Sequence, residues 1–478
     1  MRDEHPKHAT RPPVDHPAAA LPLEPQEGVV AVAVPDAEAQ AHLVEDPLAR
    51  TIARLALPAV ASSLLMTLFT SVDMYWVGRY VGANALAAVS TSVFWIWLVI
   101  ALGEMVSIGL TAVAARRHGE REHAAAARVA GNAVVFSLVF GTAIAIVGTM
   151  LVPQLFALMQ MPAEIAELGH RYLAAYLLGT PLVFGFFAVD AAFRASGDTR
   201  TPFVLLTVSV TVTLVLDPVL ILGLWGAPKL GIAGAAVATV LTRGAAFLMG
   251  IVIAVRRGIV SLDRPRPLAV GAILRVGAPV AVTGAFFSLI YVALTRTTTQ
   301  FGTPALAALG IGHRVESWLY MIGVGFGAAT AAIVGQSLGA RRTSRAAQAG
   351  WISVGFCTVL GTLTGAAALI WAEPIAGWFS TDPAVIAEGA RYLRIAALAQ
   401  VFLCMEVVLE GALGGAGDTL PPMLASSVLT ALRIPLAAWA APRYGVAGIW
   451  WVLTLTAIAR ALAMVLLWRS GRWKHRTL

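Results

Sequence analysis

Charged residues are scarce in this sequence, and so are cysteines. Only 13% of the 478 residues are Asp, Glu, Lys or Arg, whereas soluble domains average about 25%, and 58% are hydrophobic. An ordinary soluble enzyme and a disordered chain are therefore excluded. Cys357 and Cys404 lie inside apolar runs, which excludes a disulfide framework and a cysteine-based metal cluster. The composition is typical of a polytopic α-helical membrane protein.

Twelve apolar stretches can be recognised along the chain. Each is long enough for a hydrocarbon core of about 30 Å, which takes about 20 helical residues. A helix satisfies its own backbone hydrogen bonds in lipid, whereas an open sheet could not. We therefore predict an all-α protein with twelve transmembrane helices. The predicted spans are 52–78, 87–114, 126–151, 168–192, 202–222, 232–255, 272–298, 306–334, 347–371, 389–412, 422–440 and 446–468.

The basic residues between these stretches alternate between two sides. Nineteen fall on one side and three on the other, namely Arg79, Lys229 and Arg443. By the positive-inside rule the richer side is cytoplasmic, so both termini are predicted to be cytoplasmic. The basic residues behind the net charge of +8 thus indicate how the chain is oriented in the membrane. The sequence has no basic patch interleaved with aromatic residues, so nucleic-acid binding is not predicted.

The two halves of the chain resemble each other at an offset of about 220 residues. Arg171-Tyr172-Leu173 matches Arg391-Tyr392-Leu393, and Gly197-Asp198-Thr199 matches Gly417-Asp418-Thr419. Because each half has an even number of helices, six, both halves enter the membrane from the same side. They are therefore predicted to be related by a pseudo-two-fold axis along the membrane normal. A cleft between the two lobes is the expected substrate site. The predicted parts are a disordered cytoplasmic tail (1–48), a first six-helix lobe (49–257), a cytoplasmic linker (258–271), a second six-helix lobe (272–468) and a cytoplasmic tail (469–478).

Several short motifs follow one another in order over residues 50–470. They include Leu57-Pro58-Ala59, Val72-Asp73, Leu216-Asp217-Pro218 and Arg314-Val315-Glu316-Ser317. With these motifs the chain resembles the multidrug and toxic compound extrusion (MATE) family. It resembles the DinF-like branch more than the NorM-like branch, because Ser288 follows Phe286-Phe287 where the NorM-like pattern has a glutamate. The resemblance implies a secondary antiporter, not an enzyme, that exports organic, mostly cationic and amphipathic compounds from a bacterial cell across its inner membrane.

The resemblance also implies a cation-coupling site in the first lobe. The DinF-like pattern falls on Asp73, Thr213, Asp217 and Thr239, with Thr213 in place of an asparagine. A lone carboxylate at the centre of a membrane costs about 2.5–3.5 kcal/mol. Two neighbouring carboxylates also repel, so one should hold a proton or both should share a cation. Because Thr213 lacks the side-chain amide of an asparagine, we favour H+ over Na+ as the coupling ion. We expect no other metal and no cofactor.

Each of these assignments has a plainer alternative. Asp73 could be hydrated at a helix end, and Thr239 could bond only to its own helix. Pro58 removes one backbone hydrogen bond from the first helix. The resemblance implies that the helix bends at Pro58 when the carboxylate changes protonation. A proline near the helix start without any motion is equally compatible with the sequence.

The remaining membrane charges lie mostly in the second lobe. Glu316 and Arg433 fall at similar depths, so we predict a buried structural pair, with cargo contact as the alternative. Glu406 and Glu410 share a helix face near its cytoplasmic end, where they could attract a cationic cargo or simply be hydrated. Two further acids precede helices with a proline near the first turn and are predicted helix caps, namely Asp198 and Asp418.

Two other functions compete with cation efflux. A flippase for lipid-linked oligosaccharides would need a cationic cavity for pyrophosphate, whereas the membrane charges recognised here are mostly acidic. A lipid-modifying membrane enzyme would need clustered His, Asp and Glu or a nucleophile with a base, but most histidines lie in the tail or the loops. The expected partners are therefore small organic cations and the lipid bilayer, and we expect a functional monomer.

Overall fold

The computed structural model describes residues 46–158, 163–263 and 268–476. In these ranges the regular structure is entirely helical, which confirms the predicted all-α class. The predicted tail 1–48 lies almost wholly outside the described residues, as do parts of the predicted linker and of the second tail. The α-helices are α1 Leu48–Tyr80, α2 Ala83–Gly119, α3 His123–Leu158, α4 Ala163–Leu178, α5 Thr180–Ser196, α6 Arg200–Leu222, α7 Ile232–Arg256, α8 Leu268–Thr299, α9 Thr303–Gly339, α10 Thr343–Ile370, α11 Ala372–Gly377, α12 Pro383–Ala396, α13 Gln400–Gly415, α14 Leu420–Ala431 and α15 Arg433–Arg469. Short 3-10 turns lie at Leu224–Gly226, Ala397–Ala399 and Arg472–His475.

These helices make the twelve predicted membrane spans. Ten segments of the described chain are long and apolar enough to cross a membrane. The helices α4 and α5 together form an eleventh span, bent by 49°. The last of the ten segments, Leu420–Arg469, contains two spans, because the chain reverses inside α15.

The reversal in α15 is made by Gly445, whose φ of 64° and ψ of −157° are not helical. Glycine adopts this conformation readily because it has no Cβ. Beyond the turn, Gly448 packs against the backbone of Ala440, and Thr456 accepts a hydrogen bond from Arg433 at 2.8 Å. The two arms therefore run antiparallel, and the register of this hairpin decides which polar side chains of the second lobe meet.

The first helix of each lobe also contributes to the other lobe. In α1, Ile52 packs into the apolar core of the second lobe, whereas Val77 packs with residues of the first lobe. In α8, Ile273 packs into the core of the first lobe, whereas Leu294 packs with the second. The lobes thus exchange the ends of two equivalent helices, which ties them together at one end of the bundle.

That end carries Arg116, Arg117, Arg341 and Arg342 and is called the basic end below. There α2 and α9 approach each other through two glycines. A Cβ on Gly119 would overlap the carbonyl oxygen of Gln336, and a Cβ on Gly339 would overlap that of Arg116. The two contacts are equivalent in the repeat. With no side chain between them, the backbones come as close as small residues allow in membrane helices.

Away from the basic end the lobes pack less closely. A Cβ built on Gly284 of α8 would lie 3.3 Å from the Cβ of Ala101 in α2, so the lobes still touch at this level. Trp97 lies one turn farther along the same face of α2 and is 52% exposed. The close packing of α2 against α8 therefore lies toward the basic end, where a Cβ on Gly277 would overlap the carbonyl oxygen of Met105.

The glycine contact makes a testable prediction. Gly119→Val should force α2 and α9 apart at the basic end, because its side chain would overlap the Gln336 carbonyl. We expect a loss of about 1–3 kcal/mol, as for overpacked cores, seen as a lower Tm in detergent. A cysteine at Ala112, a buried position at this interface, should react faster with a maleimide.

The control is Gly355→Val, since a Cβ at this helical glycine has no neighbour within 4 Å. It should leave both the Tm and the labelling rate unchanged. If Gly119→Val behaves in the same way as the control, the glycine contact does not constrain the lobes.

Candidate cation and substrate site

Two aspartates from different helices lie inside the first lobe. Asp73 of α1 is 6% exposed and Asp217 of α6 is fully buried. They are close enough to interact electrostatically. Among the described residues, both oxygens of Asp217 and Oδ1 of Asp73 have no hydrogen-bond partner. The structure therefore brings the two predicted carboxylates together, and neither is a hydrated helix end.

The other contact of Asp73 is with Tyr172 of α4, a buried side chain whose hydroxyl lies within hydrogen-bonding reach of the carboxylate. Sequence reasoning missed this tyrosine as a site residue. The repeat carried a signal, because Tyr392 is its counterpart and donates to Oε1 of Glu316 at 3.2 Å. Each lobe thus has a tyrosine hydroxyl beside a membrane carboxylate.

The two predicted threonines have different environments. The hydroxyl of Thr213 is buried, 2.7 Å from the carbonyl oxygen of Ser209 and 2.6 Å from the hydroxyl of Thr242. Thr239 reaches this group only through its backbone carbonyl, which accepts from Thr242 at 3.2 Å. The structure therefore joins Thr213 to Thr242 rather than to the Thr239 side chain.

A buried arginine also lies in the first lobe and was not recognised from the sequence. Arg243 of α7 is almost fully buried, its guanidinium is 5.5 Å from the ring centre of Phe186, and it contacts the sulfur of Met66. It interacts electrostatically with Asp190. Arg243 lies in an otherwise apolar span, and only the three-dimensional packing shows that its charge faces the inside of the lobe.

In the second lobe the structure corrects the predicted pair of Glu316 and Arg433. The ion pair is formed by Glu406 and Arg460 at 3.2 Å, with side chains 5% and 9% exposed. Arg433 donates to Thr456 instead. The hairpin register is the reason, because it places Arg460 beside Thr430, to which it donates at 3.2 Å, with its guanidinium toward α13.

Glu406 and Glu410 therefore differ, although they are one turn apart. Glu406 is buried and paired, which contradicts the hydrated alternative. Glu410 is partly exposed. Glu316 interacts with Arg433 and Arg460 only electrostatically, without an ion-pair contact.

The two predicted helix caps also differ. Oδ1 of Asp198 accepts from the backbone N–H groups of Arg200 and Thr201 at 3.0 and 2.9 Å. For Asp418 the cap prediction is wrong, because among the described residues its carboxylate accepts from no backbone N–H, and Pro421, three positions on, has none to donate. The carboxylate of Asp418 pairs with Arg476 at 2.9 Å instead.

At Pro58 the helix α1 continues through the proline. The hydroxyl of Ser62 donates to the Pro58 carbonyl at 3.0 Å. The second lobe repeats this arrangement with Thr283 and the Pro279 carbonyl at 3.1 Å. Both helices thus carry a proline with a hydroxyl one turn on, and the bending of α1 stays a prediction.

Comparisons with known proteins agree with this architecture. The sequence profile of the MatE family matches residues 58–219 and 279–439. A probable multidrug resistance protein NorM from Thermotoga maritima is 30% identical over 452 residues, which cover 90% of this chain and 94% of that protein. An FAD transporter from Shewanella oneidensis is 26% identical over 428 residues, covering 88% and 94% of the two chains.

Solved structures share the fold. One, described as the outward-facing conformation of a multidrug resistance MATE family transporter of the MOP superfamily, superposes with a TM-score of 0.85 at 22% identity. It covers 92% of this chain, and this chain covers 99% of it, which confirms the twelve-helix fold with two lobes. The preference for the DinF-like branch stays a prediction. Because the family profile matches in both lobes, this chain belongs to the MATE family of membrane transporters.

Proposed function

We propose that the protein is a multidrug efflux antiporter that exports organic cations in exchange for a cation bound at Asp73 and Asp217. The observation that carries the proposal is the pair of interacting, buried carboxylates with three oxygens that lack hydrogen-bond partners among the described residues. Two such groups favour a bound proton or metal cation, because they repel each other when both are ionised. We place the cargo cleft between this lobe and the second one.

A proton is our preferred coupling ion, with Na+ as the alternative. A proton needs only one carboxylate oxygen, whereas a metal cation needs several oxygen ligands at once. The nearby hydroxyl of Thr213 already faces Ser209 and Thr242. Among the described residues, no group of three or more His, Cys, Asp and Glu has the arrangement of a metal site.

The orientation follows from the charges. We place the basic end in the cytoplasm by the positive-inside rule, in a bacterial inner membrane with both termini cytoplasmic. In this proposal the cleft opens to the outside, so cargo leaves there as the coupling ion enters the first lobe. We propose that the monomer is the functional unit.

An anionic cargo, as in a flippase or in the FAD transporter from Shewanella oneidensis, is less well supported. It would need basic groups that face the cleft without partners. In the second lobe, Arg460 pairs with Glu406 and Arg433 donates to Thr456. These arginines act within the lobe, which favours a structural role for Glu406 over a role in cargo binding.

The coupling proposal predicts that neither aspartate can be replaced by its amide. Asp73→Asn and Asp217→Asn should each reduce ethidium uptake into everted vesicles at least tenfold, because an amide cannot bind and release a proton. Uptake is measured with an imposed pH gradient, and separately with an imposed sodium gradient at equal pH. If uptake depends on the sodium gradient alone, the coupling ion is Na+ and not the proton.

The matched control is Glu167→Gln, since this first-lobe carboxylate has a side chain that is 66% exposed. It should transport as the wild type does. Full gradient-driven uptake by both asparagine variants would refute the coupling site.

The buried pair in the second lobe makes a separate prediction about stability. Glu406→Gln or Arg460→Met alone should cost about 3–5 kcal/mol, because each leaves an uncompensated buried charge. The double variant should lose less than either single variant. The measurement is the Tm of the purified protein in detergent, and equal losses in all three variants would contradict the pairing.

A further inference from the structure

After the last helix of the second lobe, the chain folds back onto the basic end. Helix α15 ends at Arg469, and the chain then turns at Gly471 into the 3-10 turn Arg472–His475. Residues 470–476 are called the strap below. The strap is anchored at two points of the second lobe, and it also reaches the first lobe.

The first anchor is Trp473. Its side chain is fully buried, and its indole stacks on that of Trp468 in α15, with ring centres 4.0 Å apart and planes inclined by 6°. Its Nε1–H donates to the carbonyl oxygen of Trp468 at 2.9 Å. Trp468 in turn lies against α10, where a Cβ on Gly350 would overlap the indole. A buried tryptophan with a satisfied N–H makes a large apolar contact, so the strap is held firmly on the second lobe.

The second anchor is the side chain of Arg476. Its Nε donates to Oδ1 of Asp418, in the loop between α13 and α14, at 2.9 Å. The Asp418 side chain is only 8% exposed, whereas that of Arg476 is 53% exposed. A carboxylate with so little access to water is costly without a partner, so this pair fixes the end of the strap.

The backbone of Arg476 reaches the other lobe. Nη1 of Arg116, on α2 of the first lobe, donates to the carbonyl oxygen of Arg476 at 2.6 Å. Arg116 lies beside the glycine contact, because its own carbonyl oxygen faces Gly339. The strap therefore binds the first lobe next to the point where the backbones of α2 and α9 are closest. A hydrogen bond from a charged donor is stronger than one between neutral groups.

The repeat shows what is special about the strap. In the first lobe, Asp198 is the counterpart of Asp418 and pairs at 2.9 Å with Arg257, the residue directly after α7. Arg257 also donates to the hydroxyl of Thr201 at 3.1 Å. These three residues all belong to the first lobe, so their contacts link no other lobe. In the second lobe the arginine comes seven residues after the last helix, and this longer segment extends to the first lobe.

We propose that the strap holds the two lobes together at the basic end and thereby favours the conformation in which this end is closed. The lobes separate there only if Arg116 releases the Arg476 carbonyl or if the strap leaves Asp418. Loss of either contact therefore raises the population of the conformation that is open at the basic end. The inference concerns the equilibrium between conformations and is independent of the coupling ion and of the cargo.

Distances between the lobes test the strap directly. Spin labels are attached through Arg121→Cys in the first lobe and Arg341→Cys in the second, two exposed positions, in the full-length protein in detergent. The native Cys357 and Cys404 are buried, and the chain without the new cysteines serves as the labelling blank. Double electron–electron resonance gives the populations of short and long distances. Arg116→Ala should raise the ratio of long to short distances about tenfold, as expected for the loss of one hydrogen bond from a charged donor.

Two further variants and a matched control define the link. Arg476→Ala should shift the populations in the same direction, because it releases the strap from Asp418. The double variant should shift them no further than the larger single change, since both substitutions act on one connection. The control is Arg257→Ala, which breaks the equivalent pair inside the first lobe and should leave the distances unchanged.

The Tm separates the strap from a purely structural role. Arg116→Ala leaves Trp473 and the pair of Arg476 and Asp418 in place, so its Tm should stay close to that of the wild type while the distances change. If Arg476→Ala does not fold, Arg116→Ala decides the outcome.

Three results would overturn the inference. They are wild-type distances in Arg116→Ala and Arg476→Ala, a lower Tm with unchanged distances, and a shift in Arg257→Ala as large as that in Arg116→Ala. Because the distances are measured without cargo or gradient, each of these results leaves the proposed efflux function unaffected.

Discussion

The cost of placing a charge in a water-poor interior is the constraint on which this structure depends. A central membrane charge costs about 2.5–3.5 kcal/mol, so each one needs a compensating partner or a ligand. The second lobe compensates Glu406 with Arg460 on a neighbouring helix. The first lobe leaves oxygens of Asp73 and Asp217 without a hydrogen-bond partner among the described residues. A charge that is neutralised by an opposite charge within the protein holds a structure together, whereas two neighbouring charges of the same sign are available to a cation from outside.

The internal repeat makes this contrast sharper, because the two lobes share much of their architecture. Gly119 and Gly339 make equivalent backbone contacts, and the equivalent tyrosines Tyr172 and Tyr392 each lie beside a membrane carboxylate, although these carboxylates come from different helices of the repeat. The lobes differ where the charges lie, since the second has an arginine-rich network and the first a pair of aspartates. Gene duplication gives the same scaffold twice, so positions at which the copies diverge are the ones that can acquire separate tasks. One copy can then bind the coupling ion while the other remains rigid.

Span positions and the two-lobe fold could be predicted because they depend on the length and polarity of single segments. The partners of the buried side chains could not, because they depend on rotation and register between helices. Similar depth in the membrane suggested that Glu316 and Arg433 form a pair. The turn at Gly445 instead sets a helix register in which Arg460 pairs with Glu406. Arg243 was missed for a related reason. A single arginine in an apolar span has no pattern, and only the packing shows that its charge faces the inside of the lobe.

In the proposed antiport, the same electrostatics would connect ion binding to motion between the lobes. Moving a two-state equilibrium from 1:99 to 99:1 takes about 5.5 kcal/mol of differential binding. Neutralising two membrane carboxylates, at about 2.5–3.5 kcal/mol each, is of this order. A ligand shifts the equilibrium only if it binds the two states differently, so the bound ion must change how α1 packs. This helix is suited to that role, because Val77 lies in the first lobe near Asp73 in sequence while Ile52 is buried in the second. Under the proposed coupling, a change at the aspartates would be transmitted along α1, past Pro58, to the contact that closes the basic end.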